Sequence, residues 1–302
     1  MIGRLITAMV TPFTEKGEVD YPQARRLARA LLASGSEGVV ASGTTGESPT
    51  LSRQEKLKLF AQVKEAVGTT GTVTAGTGTY NTAESVELTS EAEGLGVDAC
   101  LLVVPYYNRP TPEGLYQHFR AIAGATRLPC IVYNVPSRTV TNLSAEVILR
   151  LSEIDNIIGV KEASGNLEQV ARVIQGVKRK DFLVWSGNDA DTLPILALGG
   201  HGVISVVSHL VGKQIREMID DFLQGRTAEA AAIHRRLVPL VSAMFLVSNP
   251  IPLKYALNRS GFRVGRPRLP LVEPDEKTAA QIDSVLKSYT LDLPLRGTLE
   301  RE

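Results

Sequence analysis

The stretch IIGVKEAS, residues 157–164, is apolar without a break as far as a lysine. Ile157, Ile158, Gly159 and Val160 do not alternate polar with apolar, the pattern of a strand in a sheet covered on both faces. Lys161 follows at once, with Glu162 and Ala163 behind it. An ammonium in such surroundings loses hydration, so it must find a partner, snorkel to water or give up its proton. Two readings follow. Lys161 is a strand-end lysine that snorkels, or an amine held near neutral so that it can attack a carbonyl.

The run is one of eight. LITAMVTP (5–12), GVVASGTTG (38–46), TVTAGTGT (72–79), ACLLVVPYY (99–107) and PCIVYNVP (129–136) precede it, and FLVWSGND (182–189) and GVISVVS (202–208) follow. Their spacing, about 25 to 35 residues, is that of a βα unit. Helix punctuation fills the gaps. SRQE (52–55) is a capping box, and in TPEG Thr111 stands as cap before Pro112 at the first helical position. Eight consecutive units predict an α/β fold, a (β/α)8 TIM barrel over residues 1–209. The alternative, an open doubly wound sheet, lacks its phosphate-binding glycine turn: GTGTYN (76–81) begins like that fingerprint but misses the third glycine. From about Leu210 the strand beat stops. KQIREMIDDFLQG, TAEAAAIHRRLVPLVSAMFLV and DEKTAAQIDSVLKSY have helical periodicity, so residues 210–302 read as a C-terminal helical region. Its last stretch, TLDLPLRGTLERE (290–302), reads as a frayed tail.

Composition narrows the functional classes. With 43% hydrophobic and 22% charged residues among 302, the chain can bury a sizeable core, which excludes disordered and fibrous classes. Its 33 basic and 32 acidic residues nearly cancel, leaving no electrostatic footprint for nucleic acid or an anionic membrane. The two cysteines, Cys100 and Cys130, read as packed free thiols of a reducing compartment. The opening MIGRLITAMVTPF lacks a signal-peptide layout, and no apolar stretch is long enough for a membrane span, so a cytoplasmic location is expected. Zinc, Walker and EF-hand motifs are absent, and His118, His201, His209 and His234 are not grouped at metal spacing.

In such a barrel the active site lies at the C-terminal ends of the strands. The second run ends in GTTGES, where Thr44 and Thr45 stand between glycines and could offer hydroxyls and backbone N–H groups to a carboxylate. It could equally be an ordinary glycine-bracketed turn. The fourth ends in Tyr106 and Tyr107, which read by themselves as packing or interface aromatics. The fifth ends in YNVPSRT: Tyr133 is placed to move a proton, and Arg138, in the following loop, is a solvated charge or a bidentate grip for an acid group. Lys161 ends the sixth run, and Asp189 in SGND of the seventh reads as a helix cap. Lys254, in NPIPLKYAL, reads as exposed on a helix. Weak one by one, a carboxylate nest, a tyrosine, an arginine and a barrel-embedded lysine make a coherent set for carbonyl chemistry.

GTTGES (43–48), YNVPSRT (133–139) and GVKEAS (159–164) resemble the dihydrodipicolinate synthase family of pyruvate-dependent Schiff-base lyases and aldolases. VTPF (10–13), PYYNRPTPEGLYQHF (105–119), GGHGVISV (199–206) and NPIPLK (249–254) support the likeness in the expected order across nearly the whole chain. The resemblance implies condensation of pyruvate with L-aspartate 4-semialdehyde on the diaminopimelate route to lysine, with no metal or other cofactor. It makes Lys161 the Schiff-base lysine, Tyr133 the proton-transfer tyrosine and Thr44 the relay threonine. Tyr107 would enter a neighbouring subunit's site, implying a homotetramer built from tight dimers. Thr45, with the adjacent backbone, would bind the carboxylate of pyruvate, Arg138 would receive that of the semialdehyde, and Ile204 would belong to the same substrate-binding set.

The alternative within the superfamily is an aldolase for sialic or keto-deoxy sugar acids, similar to N-acetylneuraminate lyase. It would keep Lys161, Tyr133 and the threonine turn but would not need Arg138. A keto-acid sensor without catalysis would have lost the lysine, the tyrosine or the relay threonine, and none is lost. Ser48, Glu84 and Tyr106 match positions of the pocket where lysine-inhibited relatives bind the end product. Inhibited bacterial members have histidines at Arg53 and Lys56 and an asparagine at Tyr80. Added cations repel an ammonium, so weak or absent inhibition by L-lysine is expected.

Overall fold

In a computed structural model that describes residues 2–294, all eight runs form strands. They are β1 (Leu5–Ala8), β2 (Gly38–Ala41), β3 (Thr72–Gly76), β4 (Ala99–Val103), β5 (Cys130–Asn134), β6 (Ile157–Glu162), β7 (Leu183–Ser186) and β8 (Gly202–Ser205). Each pairs in parallel with the next, and β8 returns to β1 through Leu5 opposite Val203. The result is the expected closed barrel. Successive side chains face opposite sides of a strand. One set, including Ile6, Val40, Leu101, Ile131, Tyr133, Trp185 and Ile204, fills the barrel interior. Gly159 makes room there: a Cβ on it would lie 2.1 Å from the Leu183 carbonyl oxygen and 2.8 Å from the Trp185 ring.

The opposite faces pack beneath helices. These are α1 (Tyr21–Ala33), α2 (Arg53–Val67), α3 (Thr82–Gly94), α4 (Pro112–Ala123), the one-turn α5 (Pro136–Thr139), α6 (Ala145–Leu151), α7 (Leu167–Gly176), α8 (Thr192–Ala197) and α9 (Ser208–Leu223). The capping signals act as read. Ser52 accepts from the Glu55 N–H while its own N–H donates to the Glu55 carboxylate, and Thr111 accepts from the Gly114 N–H. Each such cap satisfies helix-end donors that would otherwise have no partner.

The chain continues as α10 (Thr227–Ala243), α11 (Ile251–Arg259) and α12 (Glu276–Leu286). The boundary drawn at 209/210 falls inside α9, and Leu210, Leu240, Leu257 and Ile282 share one apolar cluster with Leu5, Leu27 and Leu59. Residues 290–294 are not frayed: the Asp292 N–H donates to the Leu210 carbonyl at 2.7 Å, its carboxylate accepts from the Gln214 N–H, and Leu293 is buried. The rest of the expected tail, 295–302, lies outside the described residues. No helix among the described residues is long and apolar enough to cross a membrane.

Candidate active site

Register brings the central pair together. Tyr133 of β5 is opposite Lys161 of β6, which is opposite Trp185 of β7. Side chains level with one another on adjacent strands share a face, so all three enter the barrel. The Lys161 Nζ sits 4.3 Å from the centroid of the Tyr133 ring. Lys161 does not snorkel; it is 4% exposed. Burial lowers its pKa to about 8, with the Asp189 charge acting in the opposite direction and Arg138 adding to the fall. Burial pushes Tyr133 up to about 12, against the influence of Arg138 and the Thr44 hydroxyl. A partly neutral amine therefore lies against a phenol that keeps its proton.

The next residue on each strand faces the helices. Asn134 and Glu162 are register partners, and the Asn134 Nδ2 donates to both Glu162 carboxylate oxygens at 3.1 Å. Glu162 also accepts from the Gln169 Nε2 and the Ser164 N–H, and Asn134 accepts from the Leu143 N–H. This buried network ties the ends of β5 and β6 on the side away from the amine. Residues whose side chains are locked in this way hold their neighbours to a narrow range of geometry.

The turn after β2 is held in a strained shape. Ser42 (φ +57°) and Glu47 (φ +56°) both occupy the left-handed region, unusual outside glycine. The Ser42 carbonyl comes so near β3 that a Cβ on Gly76 would be 2.2 Å from its oxygen. Three contacts from distant sequence fix the turn: Thr11 Oγ1 donates to the Gly46 carbonyl, Asn249 Nδ2 to Thr45 Oγ1 at 2.9 Å, and Lys254 Nζ to Glu47 Oε1 at 2.6 Å. Lys254 thus departs from the exposed position its helical pattern predicted: it is fully buried, against the Phe13 ring. Helical periodicity identifies a face but cannot reveal a carboxylate waiting inside it. Burial takes the pKa of Lys254 to about 8 as well, against the effect of Glu47. A lowered pKa alone therefore does not tell a nucleophile from an ion-pair partner; surroundings do.

Thr44, Tyr133 and Arg138 line one cavity of about 200 Å³. Arg138 lies on the one-turn helix α5 rather than in a loop, and its Nη2 donates to the Asn249 carbonyl at 3.1 Å. Neither Lys161 nor Thr45 is among the residues that line it; Thr45 is buried and joined through Asn249 to Arg138, and Ile204 is buried in the barrel interior. Asp189 does not cap its own helix. It is buried, and its carboxylate accepts from the Ser205 hydroxyl and the Val206 and Val207 N–H groups. Tyr107 is not gathered with the others: it points outward, 93% exposed, on a backbone at φ +74°.

Ser48 and Tyr106 line the same cavity as Thr44 and Tyr133. Tyr80 packs edge-on against Tyr106, with centroids 5.1 Å apart. Arg53, expected as a free cation, is ion-paired with Glu87 and Glu91 at 2.5 and 2.9 Å. Lys56 is buried; burial lowers its pKa and the Glu84 charge opposes the fall. Among the described residues no group of His, Cys, Asp and Glu is arranged to hold a metal ion. Sequence reasoning gave no role to Asn249, Glu47 or Glu162, although all three lie in stretches that carried the family resemblance.

Comparison with known proteins gives a consistent picture. The dihydrodipicolinate synthetase family profile matches residues 1–289. A 4-hydroxy-tetrahydrodipicolinate synthase of Dehalococcoides mccartyi is 64% identical over 98% of this chain and 99% of its own. Among solved structures, a dihydrodipicolinate synthase of Bacillus anthracis superposes with a TM-score of 0.94 at 42% identity, covering 96% of this chain and 100% of its own. The enzyme of Cyanidioschyzon merolae, solved with lysine bound, gives 0.93 at 47% identity, with 95% and 98% covered. On its barrel, its lysine and tyrosine pair and these likenesses, the chain belongs to the dihydrodipicolinate synthetase family.

Proposed function

We propose that Lys161 forms an imine with pyruvate and that the resulting enamine adds to L-aspartate 4-semialdehyde. The family makes the chain a class I pyruvate-dependent lyase of lysine biosynthesis with 4-hydroxy-tetrahydrodipicolinate synthase activity. The observation that carries the residue assignment is the buried Lys161 amine 4.3 Å from the Tyr133 ring.

The neutral amine attacks the keto carbon of pyruvate, and water leaves to give an iminium. Loss of a methyl proton turns the iminium into an enamine, whose carbon attacks the aldehyde and leaves a hydroxyl there. The amino group of the former semialdehyde then attacks the iminium carbon, releasing Lys161 and closing the ring. One water is lost overall. Tyr133, with its proton retained, is suited to pass protons at the keto carbon, and Thr44 to orient it. Thr45 takes the carboxylate of pyruvate, with Ile204 beside it in the substrate-binding set, and Arg138 takes the carboxylate of the semialdehyde as a charge-assisted pair.

A second copy is part of this reading. Tyr107 is suited to reach a neighbour's Tyr133 and Thr44, given its exposure and its left-handed backbone. Leu167, Leu198 and Val238 expose apolar surface on α7, at the end of α8 and on α10, which supports a second contact and hence a tetramer of two tight dimers. A cytoplasmic location fits the buried free thiols of Cys100 and Cys130.

Borohydride reduction in the presence of pyruvate, followed by peptide mass mapping, tests the chemistry and the residue together. The expected product carries a pyruvate-derived mass on the peptide containing Lys161 and no longer turns over. A label on Lys254, or none, overturns the assignment.

A further inference from the structure

We propose that Asn249 is a positioning residue for the keto acid's carboxylate, setting the direction of the Thr45 hydroxyl while the Glu47–Lys254 pair holds the same turn from its other end. The inference rests on the imine reading above. A threonine hydroxyl has one hydrogen to give and lone pairs to receive. The Asn249 Nδ2 can only donate, and it donates to Thr45 Oγ1 at 2.9 Å. This occupies a lone pair of the hydroxyl and leaves its hydrogen for another acceptor. A carboxylate brought against Thr45 is such an acceptor, and the bond it receives is charge-assisted.

Both partners are buried, Thr45 at 3% and Asn249 at 5% exposure, so water competes little for the bond. The same residue holds the second acid grip, since the Asn249 carbonyl accepts from Arg138 Nη2. Five residues on, Lys254 reaches Glu47, whose other carboxylate oxygen accepts from the Arg268 N–H at 2.8 Å. NPIPLK, outside the eight βα units, thus anchors the threonine turn twice and Arg138 once. The turn's left-handed Glu47 is a conformation that persists only where the surroundings impose it.

The test compares pyruvate with its methyl ester, which has the same keto carbon but no carboxylate, as imine-forming ligands trapped by borohydride. Asn249→Ala should weaken the apparent affinity for pyruvate about tenfold, as expected for one oriented hydrogen bond. Trapping of the ester should change less than about threefold. In a Thr45→Val background the same substitution should have no further effect on pyruvate, because there is no hydroxyl left to orient. Equal losses for acid and ester, or additive losses in the Thr45→Val background, overturn the inference and leave Asn249 a packing residue. Should Asn249→Ala fail to fold, Asn249→Leu, close in size and without a hydrogen-bonding group, carries the same comparison. Absence of any adduct in the parent enzyme is a separate result, which overturns the imine reading itself.

Discussion

Tyr133 and Lys161 are register partners on adjacent parallel strands, so their approach to 4.3 Å between ring centroid and amine is set by backbone pairing. Neither side chain depends on a loop for its position. Tyr133→Phe keeps the ring against the lysine and removes only the phenolic hydroxyl. We expect turnover to fall about 10²–10⁴-fold, with pyruvate trapping at Lys161 reduced far less. Equal loss of both would place the tyrosine in packing rather than in proton transfer.

Imine formation should depend on pH with the sign of a neutral nucleophile. With Lys161 near 8, the reactive amine becomes more abundant as pH rises, and the pyruvate trapping rate should climb from pH 6 and level off above about 9. Single-turnover trapping across that range reads it directly. A rate that is flat or falls with pH contradicts the assignment.

The buried amine should weaken the fold it serves. Its pKa is lower in the folded protein than in the unfolded one, so the penalty is fully present below about pH 8 and fades as pH rises toward 10.5. Lys161→Met should abolish trapping yet stabilise the protein at pH 7 by up to roughly 3 kcal/mol. Denaturant midpoints at pH 7 and pH 10 measure this, and the advantage of the variant should shrink at the higher pH.

Arg138→Ala removes one grip on the acceptor and only the smallest of the influences on the amine, whose pKa is lowered chiefly by burial. Loss of a charge-assisted bidentate contact corresponds to roughly 2–4 kcal/mol in kcat/KM for the semialdehyde. Trapping with pyruvate should change little. Parallel losses would make the arginine structural and favour a sugar-acid aldolase.

Inhibition by L-lysine should remain weak, though for a reason other than the one the sequence suggested. Arg53 is neutralised by Glu87 and Glu91, so it is not the repelling charge. Glu84 instead already faces the buried Lys56, whose ammonium its charge favours against the effect of burial, and is less free to take the ammonium of a ligand. Initial rates across L-lysine concentrations should show no half-inhibition below about 1 mM, which corresponds to roughly 4 kcal/mol of binding.

The barrel was legible because strands buried on both faces declare themselves by local composition, and capping residues mark the helices between them. Lys161 and Tyr133 were legible for the same reason: each ends an apolar run. Lys254, Asp189 and Arg53 were misread because their partners, Glu47, the start of α9 and the carboxylates of α3, lie elsewhere in sequence. Asn249 gave no local signal because its hydrogen-bond partner, Thr45, lies 204 positions earlier. Local pattern reports whether a residue is buried. It does not report what meets it there.

Closure of the barrel through Leu5 and Val203 also carries a consequence for synthesis. About 200 residues must leave the ribosome before β1 can meet its second neighbour, and at roughly 5–20 residues per second that is some 10–40 s. Throughout that interval the nascent sheet presents an unpaired, largely apolar edge, the kind of surface that recruits holding chaperones and invites pairing with other chains. Slower translation lengthens that exposure in proportion. Yield in the cell should therefore respond to elongation rate and chaperone supply even where the finished protein is stable.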